Sequence, residues 1–286
     1  MSDRSQTEFK TPEQSLFQQA HDCLLLESPV DKAACTEVLY QRWISGEVAT
    51  DVSPRPERIN VPGRPFKPDL VHPSRVPKRS VHTRQGLLSL AHAIAHIEFN
   101  AINLALDAVY RFRGMPEAYY TDWLRVAAEE ARHFVMLDQY LRSHGSYYGA
   151  LDAHNGLWEM ALKTDHDVLV RMALVPRVLE ARGLDVTPGM IVKLREVNET
   201  DLVNILEVIH HEEIGHVLAG TRWFNYVCAQ RGLVPAETFM CLLQEYMQGV
   251  PQGLFDITTR RQAGFSEEEL HDLLNIKRAE KTYAGK

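Results

Sequence analysis

The sequence predicts an all-α protein centred on a four-helix bundle. Four long segments carry apolar residues at helical spacing, and nothing between them alternates with period two for long enough to form a sheet. Each of the four apolar stripes also contains one glutamate. The 286 residues are 45% hydrophobic and 24% charged, with a mean hydropathy of -0.26, which is soluble globular composition with material for a large core. Its net charge of -7 excludes an overall basic field for nucleic acid or anionic membrane.

Two short helices open the chain. Thr11-Pro12-Glu13 resembles a capped first turn leading to about Glu27, and a second helix runs from about Val30 to Ile44, with Gly46 past its end. Between Asp51 and Arg84 seven prolines and eight basic residues face three acids. Proline fixes φ and lacks the N–H, so this stretch is an extended arm. It is expected to be a strap on the body first and a basic docking arm for RNA or another anion second, with Arg55, Arg58, Arg64, Lys67, Arg75, Lys78 and Arg79 as the residues that would bind phosphates.

The first long segment runs from about Gln85 to Phe112 and stops at Gly114; the second runs from about Pro116 to Ser143. The third runs from about Asp165, capped by Thr164, to Arg182 and is expected to break over Arg182–Pro188, resuming as a short helix to about Val197. The fourth runs from about Asp201 to Gln230, with Gly232 after it. One tail helix is expected from about Pro235 to Met247, and another from Ser266, whose spacing to Glu269 fits a capping box. The organisation is then an N-terminal helical extension (1–50), a proline-rich basic arm (51–84), the bundle (85–232) and a C-terminal helical tail (233–286), packed as one domain.

The glutamates carry the chemistry. Glu98, Glu130, Glu180 and Glu213 each sit on an apolar stripe, where a lone carboxylate costs several kcal/mol and four converging ones repel one another. Two divalent ions would cancel four such charges. Glu130 and Glu213 are followed at i+3 by His133 and His216, which puts each pair on one helix face. The spacing also occurs at Glu268/His271, which falls in the polar tail, and at Glu207/His210, which alignment along the bundle separates from the rest. Glu98 lies 16 residues before Gly114 and Glu130 lies 16 after it, so an antiparallel hairpin brings them level. Glu98 to Glu130 is 32 residues and Glu180 to Glu213 is 33, whereas Glu180 to Glu207 is 27. One Glu from each of two helices plus Glu-x-x-His from the other two is the dinuclear carboxylate arrangement of ferritin-like bundles.

On these residues the chain resembles ferritin-like proteins, and more narrowly a bacterial family catalogued as domain of unknown function 455. The stretches LLSLAHAIAHIEFNAINLALDAVYRF, VAAEEARHF, HNGLWEMALKT, RMALVPRVLEARGLDVTPGM and EEIGHVLAGTRWF, with the arm PGRPFKPDLV, carry the likeness. It implies a ferritin-like fold with Glu98, Glu130, His133, Glu180, Glu213 and His216 as metal ligands. A more distant similarity, to the di-iron tRNA hydroxylase, implies oxygen chemistry and an RNA substrate. Storage ferritins lack such long flanking segments. Rubredoxin-type rubrerythrins need Cys-x-x-Cys, absent here, and the ribonucleotide reductase small subunit has a radical tyrosine where this chain has Leu137.

These readings lead to a di-iron oxidoreductase that binds two metal ions, iron preferred and manganese possible, and activates O2 to oxidise an unidentified substrate, with a small-molecule substrate or O2 as its expected partner. The alternatives are a non-catalytic or peroxide-scavenging metal protein, a tRNA-modifying hydroxylase, and a metal-free helical module whose glutamates pair with arginines such as Arg171 and Arg177. The electron donor is open, a homo-oligomer is compatible, and a membrane partner is not expected. With no signal-type N-terminus and no membrane-length apolar run, a cytoplasmic location is expected. Cys23, Cys35, Cys228 and Cys241 are expected as free thiols. Glu129 and Glu212 are expected to be solvated or paired to Arg125 and Arg132. His210 is either a partner of the site or a half-exposed polar position. His92 and His96 are expected to pack away from Glu98.

Overall fold

The computed structural model describes residues 15–51, 55–76, 80–247 and 255–284, with side chains to residue 275; the Thr11 cap, Lys78 and Arg79 lie outside these. The described residues are helical with one isolated bridge, Leu70 to Ala153. Helices α1 (Leu16–Leu25) and α2 (Pro29–Ile44) are capped by Ser15 and Ser28, whose hydroxyls accept from Gln18 and Asp31 N–H. They pack on the outer side of a hairpin made by α3 (Arg84–Arg111) and α4 (Glu117–Ser143). Helix α3 is buried on almost every side because α1, α4 and α5 (Gly156–Lys163) all lie against it, which explains its unusually apolar sequence. Helix α5 falls in a stretch for which no helix was expected.

Cys23 on α1 and Cys35 on α2 form a disulfide, Cα–Cα 5.7 Å, which corrects the expectation of free thiols there. The two helices are consecutive and antiparallel, so residues 12 apart meet across the turn, a proximity that a search for Cys-x-x-Cys does not detect. Cys228 and Cys241 are free thiols. No described helix is long and apolar enough to cross a membrane.

The proline-rich stretch is a strap with one short 3₁₀ turn, Pro73–Arg75. Gly63 N–H donates to Leu24 O, Trp158 Nε1 donates to Asn60 O, and the backbones of Asp69 and Val71 bond to Ala153. Lys32, fully buried, donates to Leu24 O and Gly63 O, each at 2.7 Å, and to the Asn103 side chain. Burial draws its pKa down to about 7, yet three acceptors around one nitrogen suit the ammonium form. Part of the strap's basic charge is used internally: Arg58 pairs with Asp165 at 3.0 Å and Lys67 with Asp69.

The second half contains α6 (Val168–Leu174), a π-helical turn (Val175–Glu180), α7 (Ala181–Glu196) and α8 (Thr200–Arg231). Two expectations are corrected here. Asp167 caps α6 through Leu169 N–H, while Thr164 accepts from Arg171 instead. The chain does not break over Arg182–Pro188: α7 runs on with Pro188 inside it, and the irregularity comes one turn earlier. Pro176 packs straight onto the backbone of α8, where a Cβ on Gly220 would lie 2.3 Å from its ring. Gly220→Ala is therefore expected to cost about 1–3 kcal/mol, because neither ring nor helix backbone can yield cheaply. An unchanged urea midpoint would mean that this close approach does not exist in solution.

Helices α9 (Pro235–Met247), α10 (Ile257–Gln262) and α11 (Glu267–Ala284) cover α6, α7 and α8, and Ser266 and Glu269 exchange the hydrogen bonds of a capping box. The buried Arg177 guanidinium reaches Glu269 at 2.5 Å amid the rings of Phe224, Phe239 and Phe265.

His92 and His96 pack against the α4–α5 connection, away from Glu98. His92 Nε2 accepts from Gly149 N–H at 2.9 Å, and His96 bonds Tyr148 and His154 O. Burial pushes the pKa of each down to about 4. Below pH 6.5 the unfolded chain takes up protons that folded His92 refuses, so this residue's contribution to stability falls as the pH drops from about 6.5 toward 4. His92→Gln keeps an acceptor and removes the titration. Relative to wild type, it should recover about 2–3 kcal/mol between pH 7 and pH 4.5 in urea unfolding; parallel pH profiles would contradict this.

Candidate metal centre

Four glutamates and two histidines meet where α3, α4, the π turn and α8 converge. Glu98 comes from α3, Glu130 and His133 from successive turns of α4, Glu180 from the end of the π turn, and Glu213 and His216 from α8. Antiparallel pairing of α3 with α4 places Glu98 and Glu130 level across the Gly114 turn. Ligand atoms of Glu98, Glu130, His133 and Glu213 all lie within 4.8 Å of one another and are buried, so this group could hold a metal ion. His216 adjoins it, with Nδ1 2.9 Å from Glu130 Oε1 and 3.7 Å from Glu213 Oε1. Glu180 is close enough that Glu213 and Glu130 are its main charged neighbours.

Both imidazoles point the same way round. His133 Nδ1 faces Glu98 at 3.1 Å and Glu130 at 3.5 Å, and its Nε2 faces Glu212 at 2.7 Å. His216 turns Nδ1 to Glu130 and Nε2 to Glu129 at 2.8 Å. Each outer glutamate is the neighbour of a cluster glutamate on one helix and holds the histidine of the other helix. Arg125 lies 3.3 Å from Glu129, and Arg132 pairs with Glu212. The expected arginine pairing of Glu129 and Glu212 is thus present, but their larger role was missed. The doubled motif Glu-Glu-x-x-His, at 129–133 and 212–216, was the available signal.

The electrostatics are those of crowded like charges. Burial, then the charge of Glu130, raises Glu98 and Glu213; burial, then Glu213 and Glu130, raises Glu180. Glu130 is held low against its burial by His216 and His133. Both histidines are raised against burial by the surrounding carboxylates. Several acceptors nevertheless have no hydrogen-bond partner: both Glu130 oxygens, Glu180 Oε2, Glu213 Oε2 and His216 Nδ1. The 2.9 Å approach of His216 to Glu130 is misaligned for a hydrogen bond. Oxygens and a ring nitrogen that crowd together without bonding fit a shared cation, and Nε2–H donation to Glu212 and Glu129 leaves Nδ1 free for it.

The competing pair does not join this group. Glu207 is exposed and pairs with Arg195, and His210 is half-buried with Asp256 and His211 as its charged neighbours. Nor do the arginines neutralise the cluster: Arg171 pairs with Asp107 at 2.7 Å and Arg177 with Glu269. Beside the carboxylates, between α3, α7 and α8, lies a cavity of about 140 Å³ whose walls are mostly apolar.

Residues 25–271 match the family described as Protein of unknown function (DUF455). The chain belongs to this DUF455 family. Among curated proteins, an uncharacterized protein of Haemophilus influenzae (strain Rd) is 42% identical over 280 residues, spanning 94% of this chain and 97% of that one. No solved structure matches. The DUF455 match thus takes in α2 through α10 and every residue of the cluster.

Proposed function

We propose that this chain is an oxygen-dependent oxidoreductase of the ferritin-like class. It holds two metal ions, iron in preference to manganese, between Glu98, Glu130, His133, Glu180, Glu213 and His216. The observation that carries the reading is the set of buried, partnerless acceptors contributed by α4, the π turn and α8. A mixed carboxylate–imidazole set suits iron and manganese, and two divalent ions balance four carboxylates. Redox-active ions there would supply reductive activation of dioxygen. In the net reaction a C–H bond, O2, two electrons and two protons give C–OH and water, the electrons coming from an external two-electron donor.

The chain's own residues perform the remaining tasks. Glu212 and Glu129 accept the Nε2 protons and so fix the ring orientation and tautomer of His133 and His216. Apolar walls around the cluster keep bulk water from a reactive oxidant. A protein that only sequestered metal would have no use for an apolar cavity reaching the carboxylates, which favours catalysis over storage.

The test is elemental analysis of protein purified from iron- and manganese-supplemented cells, with an absorption spectrum during oxygen exposure. About two irons per chain and a near-ultraviolet band that grows with oxygen are expected. No metal, or a single zinc, would overturn the reading.

A further inference from the structure

We infer that the cavity between α3, α7 and α8 is the binding site for a short-chain amphiphile, a hydrocarbon group of about six carbons carrying an oxyanion head that Arg182 receives. Reading the hydrocarbon as the group to be oxidised rests on the proposed function; the binding site itself does not.

Three observations converge. The cavity volume, about 140 Å³, is close to the roughly 150 Å³ of an apolar cavity that accommodates benzene. Its walls, Ile94, Ala101, Leu104, Leu179 and Leu206 among them, are apolar except for Thr187, Arg182 and the cluster carboxylates Glu98, Glu180 and Glu213. Ile97, 46% exposed, marks the rim where the cavity meets solvent.

Arg182 is the second observation. Its Nη1 is buried without a hydrogen-bond partner, although a guanidinium fork is the group best shaped for a carboxylate or phosphate. An arginine on this wall whose buried Nη1 stays unpartnered, although Glu98, Glu180 and Glu213 line the same cavity, is available to an incoming oxyanion.

Gly183 is the third. It lies within α7, where glycine is a poor helix former, and its φ is not in the left-handed region. A Cβ there would meet nothing within 4 Å. Neither backbone conformation nor packing requires glycine, and the missing side chain leaves space on the cavity wall open.

The probes are hexanoate, hexyl phosphate, 1-hexanol and hexylammonium, titrated calorimetrically into purified protein whose metal content is measured in the same sample. One oxyanion probe should bind about tenfold or more tightly than hexanol, and hexylammonium more weakly than hexanol. The tighter of the two oxyanions identifies the head as carboxylate or phosphate. Arg182→Gln should remove the oxyanion advantage and leave hexanol affinity in place. Gly183→Leu should abolish binding of all four probes, raise the melting temperature and leave metal content unchanged. Should that variant misfold by circular dichroism, Val186→Phe fills the same wall.

Equal binding of hexanol and both oxyanions, or full binding by a folded cavity-filling variant, would overturn the inference. Metal without probe binding sinks the inference and leaves the proposed function standing. Probe binding without metal does the reverse.

Discussion

Glu130→Ala should purify without its metal. Glu130 is fully buried, stands between His133 and His216, and has two oxygens with no hydrogen-bond partner. Among the described residues no other carboxylate approaches both imidazoles as closely at their Nδ1 atoms, so its loss removes a ligand from each side of the cluster. Removing an outer partner of a metal-bound histidine costs roughly 10–100-fold in affinity, and removing a shared direct ligand should cost more. The measurement is metal per chain after identical loading of wild type and variant, with circular dichroism as the fold control. A folded variant that retains full occupancy would sink the ligand assignment.

Glu180→Gln should change stability in opposite directions with and without metal. In the ion-free fold, burial and the charges of Glu213 and Glu130 raise the Glu180 pKa well above the usual carboxylate value. Between pH 4.5 and that raised value the folded protein holds a proton that the unfolded chain has released, so ion-free stability declines as the pH rises through this interval. Glutamine carries no charge. The variant should therefore be more stable than wild type by about 1–3 kcal/mol in chelator at pH 7.5, with a flatter pH profile. With metal the order reverses, because wild type gains more binding energy through all its ligands, and each tenfold difference in affinity is worth about 1.4 kcal/mol. Destabilisation under both conditions would indicate an ordinary packing residue.

Helical periodicity made the all-α class and the four long helices legible, since a 3.6-residue repeat is a local property that composition cannot hide. The ends of the first, second and fourth were close to those observed, as Gly232 after α8 illustrates, whereas the third runs on through the π turn to Glu196. Helix α5 was missed because eight residues give too little periodicity to distinguish from a loop. The break expected after Glu180 was misplaced for a related reason. Proline signals irregularity, but whether a helix breaks or widens depends on what packs against it, and Pro176 rests on Gly220 of a distant helix.

The candidate site divides along the same line. Glu98, Glu130, Glu180 and Glu213 were identifiable alone because a carboxylate on an apolar stripe is anomalous wherever it occurs, and equal spacing about a turn places antiparallel neighbours level. The histidine partners of Glu129 and Glu212 were not, since each points about 100° from its neighbour on its own helix, toward whatever a second helix presents there. Only packing puts His216 against Glu129 and His133 against Glu212. Tertiary structure likewise separated His210 from the cluster, closed Cys23 onto Cys35, and left the space beside Gly183 unfilled. Sequence spacing specifies which residues share a face of one helix. The rotation of each helix about its axis, and the volume left between helices, depend on the close packing of all of them.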